Sequence, residues 1–127
     1  MLRVSSIVAA LCLAVGIGAV VSAQNDDKAP KAKHTIKVVM KKAMGGGAKS
    51  LLSKVKSGKA SKEEKDQLLD LTISLLDNKP KKGDQGSWIG KAGRLTVAAA
   101  RVAVGRKGAE KELAAAANCG ACHKAHK

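Results

Sequence analysis

Residues 114–123 read Ala114-Ala115-Ala116-Ala117-Asn118-Cys119-Gly120-Ala121-Cys122-His123, close to the end of a 127-residue chain. Alanine has the highest intrinsic helix propensity, so the stretch predicts a helix that starts near Gly108 and runs directly into the cysteine pair. On such a helix Cys119 lies one turn from both Cys122 and His123, which puts two thiols and an imidazole on one face. Gly120 and Ala121 keep the surface between them small.

Three further helices are expected upstream. One runs from about Ser87 to Gly105 and carries Trp88, Ala92, Leu95, Ala99 and Val102 on one face. Before it, Ser61-Lys62-Glu63-Glu64 offers a capping box, in which the serine oxygen and Glu64 satisfy free amide groups. That helix continues to about Asn78 with Leu68, Leu69, Thr72, Leu75 and Leu76 as its buried stripe, and Lys79-Pro80 stops it. Gly83 and Gly86 mark the following turn.

The first helix is expected from near Lys33 to Ser57-Gly58, with apolar residues at Ile36, Val39, Met40, Ala43, Met44, Ala48, Leu51, Leu52 and Val55. Gly45-Gly46-Gly47 interrupts it, and each glycine costs about 1 kcal/mol relative to alanine inside a helix. The apolar phase nevertheless passes from Met44 through Ala48 to Leu51, which predicts one locally weakened helix. No polar-apolar alternation persists over a strand length. The expected fold class is all-α, and four amphipathic helices with short links predict an antiparallel up-and-down four-helix bundle.

The N-terminus has the three-part plan of a secretory signal peptide: Met1-Leu2-Arg3, an apolar run from Ile7 to Val21, then Val21-Ser22-Ala23 before Gln24. Cleavage is expected after Ala23, giving a signal peptide at 1–23, a flexible leader at 24–32 and one helical domain at 33–127. A membrane anchor is the weaker alternative, because spanning needs roughly twenty apolar residues. Cys12 lies within the run behind Leu11 rather than a small residue, which argues against lipid modification. The mature protein is therefore expected in the periplasm or otherwise exported, holding two of the chain's three cysteines.

Composition narrows the function classes. Lys and Arg total 24 against 10 Asp and Glu, a formal charge of +14, which favours an acidic partner surface or an anionic membrane face. Nucleic acid is disfavoured by export, by the lack of aromatic residues for base stacking and by the absence of a recognised binding motif. The chain has one Trp and neither Phe nor Tyr, so the side chains that usually dominate core burial are nearly missing. A bulky apolar cofactor would fill that deficit.

Cys119-Gly120-Ala121-Cys122-His123 fits C-x-x-C-H, the attachment pattern of c-type haem. Two thiols one turn apart can each bond a haem vinyl group, and the adjacent His123 can supply a nitrogen to the iron. Three rivals stand beside this reading. A Cys119–Cys122 disulfide leaves His123 and the aromatic-poor core unexplained. Zinc on Cys119, Cys122, His123 and His126 requires adjacent Cys122 and His123 to reach one tetrahedral ion. A thioredoxin-like redox pair expects a strand-helix-strand context.

A C-terminal C-x-x-C-H on a fourth helix, with Lys127 four places after the histidine, resembles the cytochrome c prime family, the class II c-type cytochromes, across the whole mature chain. The resemblance implies a four-helix bundle with one covalent haem c and His123 as the proximal iron ligand. It also matches Ile36-Lys37-Val38-Val39-Met40-Lys41 to the family's first helix, with Met40 at the position that decides the distal side. A methionine there is the sixth ligand in low-spin, electron-carrying members, whereas an apolar residue blocks that side in high-spin, five-coordinate members. Met44, one turn on, is the alternative ligand, and ordinary core packing is the bland role for both.

The triple glycine is not part of the family pattern. For the remaining candidates the bland readings are a solvated His34, a His126 exposed or packed near the haem edge, a core Trp88 and solvated Lys124 and Lys127, the two lysines alternatively neutralising haem propionates. Function is expected to be electron transfer with an acidic redox partner, without catalytic acid or base, and gas binding by nitric oxide or carbon monoxide is the alternative. A haem-free structural or metal-binding bundle is the third class. The family often forms homodimers through its first two helices.

Overall fold

The capping box expected at Ser61 forms: the Ser61 hydroxyl accepts from the Glu64 amide at 3.2 Å, and the Glu64 carboxylate accepts from the Ser61 amide at 3.0 Å. The computed structural model describes residues 31–127. The described residues are all-helical. The signal peptide expected at 1–23 and most of the leader expected at 24–32 lie outside the described residues.

Six α-helices follow one another: α1 (Ile36–Val39), α2 (Leu51–Lys56), α3 (Lys62–Leu76), α4 (Gln85–Ala103), α5 (Ala109–Ala116) and α6 (Cys119–His126). Helix α1 opens on a Thr35 cap and continues as a π-helical turn over Met40–Met44. A 3-10 turn over Gly47–Lys49 precedes α2.

The single first helix is not what forms. Gly45 is extended, with φ −69 and ψ 146, and Gly46 and Gly47 are left-handed at φ 94 and φ 57. A Cβ at Gly45 would also collide with the Lys41 carbonyl oxygen. Only glycine takes left-handed backbone without penalty, and the Ser50 hydroxyl, accepting from the Ser53 amide at 3.2 Å, caps a new start. Ala48, expected on the apolar face, is exposed.

The fourth helix also divides. Ala117 leaves helical geometry at ψ 49, and the Asn118 side chain accepts from the Ala121 amide at 3.0 Å, so the cysteine motif begins its own helix. Asparagine is a strong N-cap and competes here with continuation of the alanine run.

Helices α3 and α4 form the long central pair, with α5 along α4, α1 and α2 against α3, and α6 resting on α4. All five residues expected on the buried face of α4, Trp88, Ala92, Leu95, Ala99 and Val102, are buried. On α3 the stripe is rotated slightly. Leu68, Leu71, Thr72, Ser74 and Leu75 are buried, while Leu69 and Leu76 pack on the core edge. Two polar contacts lock the pair: Thr96 Oγ1 donates to the Thr72 carbonyl at 3.0 Å, and Trp88 Nε1 to the Leu75 carbonyl at 2.8 Å.

Candidate functional site

The break at Asn118 frees α6 to lie across the start of α4, and the π turn brings two thioethers toward the same place. Between them is a cleft of about 290 Å³. All five residues expected from sequence to tether haem or ligate its iron line it: Met40 and Met44 from the π turn, and Cys119, Cys122 and His123 from α6. Leu52, Leu75, Trp88, Ala92 and Leu95 complete its apolar walls. π-helical segments recur at functional sites because they interrupt the regular ladder locally.

The two cysteines are free thiols, Cys119 exposed and Cys122 half-buried. Burial pushes the Cys122 thiol up from its ordinary pKa, and the nearby Lys91 ammonium opposes that shift. His123 is exposed at the cleft rim. Met40 and Met44 are half-buried and packed on the core.

The charges at the cleft are all positive. Lys91 and Arg94 line it, and among the described residues no aspartate or glutamate does. Sequence reasoning missed this pair and considered Lys124 and Lys127, which are exposed and do not line the cleft. The available signal was helical spacing, since Lys91 sits one turn from both Trp88 and Leu95, which are on the buried face, and Arg94 sits one turn from Lys91.

The other candidates fall elsewhere. His126 is buried at 8 % exposure, with Nδ1 3.1 Å from the Lys82 carbonyl and Nε2 3.3 Å from Ser87 Oγ. With both ring nitrogens engaged it does not join the cysteines. Among the described residues no group of three or more His, Cys, Asp or Glu side chains is arranged to hold a metal ion. His34 is half-buried rather than solvated, its Nε2 3.4 Å from Asp70, whose carboxyl the Lys33 ammonium holds below its ordinary pKa. Trp88 serves as both core residue and cleft wall.

Chemically, the cleft offers two free thiols one turn apart, an imidazole beside them, thioethers on a separate element, apolar walls and cations without counter-ions. These donors fit a flat apolar group with anionic edge substituents, tied through its periphery, which is the chemistry of haem c. Comparison with protein families, curated proteins and solved structures gave no significant match.

Proposed function

We propose that this chain is an exported monohaem c-type cytochrome that carries electrons, arranged as an antiparallel up-and-down four-helix bundle like that of the cytochrome c prime family. The observation that carries the reading is convergence: the C-x-x-C-H helix and the methionines of the first helical segment, from opposite ends of the domain, line one cleft. Cys119 and Cys122 would tether haem c, and His123 would donate the proximal nitrogen. Met40 would donate the distal thioether, with Met44 as its neighbour on the same turn. When bound, haem supplies a one-electron iron couple, which a thioether ligand biases toward the reduced state.

The protein's own residues supply the rest. Leu52, Leu75, Trp88 and Leu95 exclude water from the cleft, and Lys91 and Arg94 offset anionic edge groups. Lysine-rich surface favours an acidic redox partner mainly through association rate. Five-coordinate gas binding is the second reading, and the packing of Met40 and Met44 against the core supports it.

Absorption spectroscopy of the exported protein in both oxidation states, with and without nitric oxide or carbon monoxide, tests these readings. Colour that survives extraction of denatured protein, with a low-spin spectrum indifferent to the gases, is expected, and Met40→Ala is expected to convert it to high spin. Colour lost on extraction refutes covalent attachment. A gas-responsive high-spin spectrum in the parent selects the second reading.

A further inference from the structure

His126 is the last residue of α6 and its only buried one. Its ring meets three groups on two elements: the carbonyl of Lys82 in the loop before α4, and on α4 the Ser87 hydroxyl in the first turn and the Trp88 ring, at a centroid distance of 5.5 Å and an interplanar angle of 79°. The Lys82 carbonyl can only accept, so Nδ1 carries the proton donated to it; Lys91 Nζ donates to Ser87 Oγ, which leaves the hydroxyl hydrogen available to Nε2.

The backbone is built around this ring. Gly83 is left-handed at φ +84, and a Cβ there would stand 2.5 Å from the Ala125 carbonyl oxygen and 2.5 Å from His126 Nδ1. Both the turn and the close approach of α6 therefore require glycine at this position. The chain of contacts ends at Lys91, which lines the cleft together with Cys122.

We propose that His126 is a positioning residue for the cleft: with Ser87 and Gly83 it pins the helix bearing Cys119, Cys122 and His123 onto the start of α4, and it holds the Lys91 ammonium at the cleft wall. The pin itself stands on this geometry alone, and its effect on an iron centre rests on the haem reading above. His126 is not an iron ligand in this arrangement. It determines where the ligand-bearing helix lies, and through Ser87 it fixes a positive charge beside the tethering cysteine.

The test compares His126→Leu, His126→Asn and the milder Ser87→Ala with the parent, as full exported chains. Amide hydrogen exchange over 119–127, with α3 as internal reference, reads the pin whether or not haem is attached. Losing the Lys82 bond and the Trp88 contact in His126→Leu is expected to speed exchange of α6 about tenfold. His126→Asn, which keeps a donor near the place of Nδ1, is expected to recover part of that protection.

Ser87→Ala leaves the Lys82 bond intact and frees Lys91. In coloured protein its midpoint potential is expected to fall, because a cation withdrawn from the cleft no longer favours the reduced state. In colourless protein, where the haem reading has failed, the iodoacetamide rate at Cys122 takes the place of the potential and is expected to change while that at Cys119 does not. Unchanged α6 protection in His126→Leu overturns the pin. Lost protection, with the potential, the spectrum and the Cys122 rate all unaltered, overturns the positioning role.

Discussion

Trp88→Phe tests the core and the cleft wall together. Trp88 is 3 % exposed, and its Nε1 donates to the Leu75 carbonyl at 2.8 Å across the α3–α4 interface. Replacing indole by phenyl removes roughly 40 Å² of buried apolar surface, or about 1 kcal/mol at ~25 cal/mol per Å². The void left behind adds about as much again, because packed surroundings relax only in part.

The lost hydrogen bond adds less than usual. The Leu75 carbonyl also accepts from the Asn78 amide at 3.3 Å, so it is not orphaned and the loss is about 0.5 kcal/mol, the low end for a neutral bond. The total is about 2.5 kcal/mol. For a domain of this size that corresponds to a fall in Tm of roughly 10–20 °C. Thermal and urea unfolding followed by far-UV circular dichroism measure it, with Ile89→Ala as control: Ile89 is on the same helix but 48 % exposed, and its loss is expected to stay within about 0.5 kcal/mol. A loss below about 0.5 kcal/mol in Trp88→Phe refutes the packing described.

Ser61→Ala removes one arm of the α3 capping box and is expected to lower stability by about 1 kcal/mol in the same urea titration. Gly45→Ala places a Cβ against the Lys41 carbonyl and is expected to destabilise by about 1–3 kcal/mol, with the larger effect on the spectrum of coloured protein because the π turn carries Met40 and Met44. Asp70 has its pKa lowered by the Lys33 hydrogen bond, so its contribution is present above the usual carboxylate range and lost as pH falls through its folded value. An acid titration of Lys33→Met is expected to show a deficit of about 0.2–1 kcal/mol near neutral pH that disappears as pH falls through the lowered folded pKa of Asp70. In chain made without haem, iodoacetamide is expected to label exposed Cys119 before Cys122, whose thiol burial keeps protonated to higher pH.

The long helices were legible because their signals are local and redundant. Ser61 and Glu64 cap α3, and the spacing of Trp88, Ala92, Leu95, Ala99 and Val102 gives the buried face of α4 without knowledge of any partner. The two breaks were not legible from periodicity, which reports the apolar side of a segment and is silent on backbone angles. Gly45 to Gly47 kept an apolar phase on paper, yet the backbone took two left-handed residues that a Cβ would resist. Asn118 offered a cap that the alanine run before it concealed. The cysteine motif and both methionines could be named from sequence, whereas His126, Ser87, Lys91 and Arg94 acquire roles only when α6 folds across α4.

The breaks and the cleft belong to the same part of the fold. Most of the buried core is alanine, valine and leucine, with Trp88 as its one aromatic side chain, so regular helices can approach closely where Ala92, Ala98 and Ala99 face their neighbours. The breaks divide the first and last helical segments into short pieces, and two of these, the π turn and α6, line the same cleft. The space they enclose is walled by Leu52, Leu75, Trp88, Ala92 and Leu95 and carries the thiols, imidazole and thioethers together. Under the haem reading, the bound group completes the hydrophobic core as well as supplying the iron couple, so folding and function depend on the same cleft.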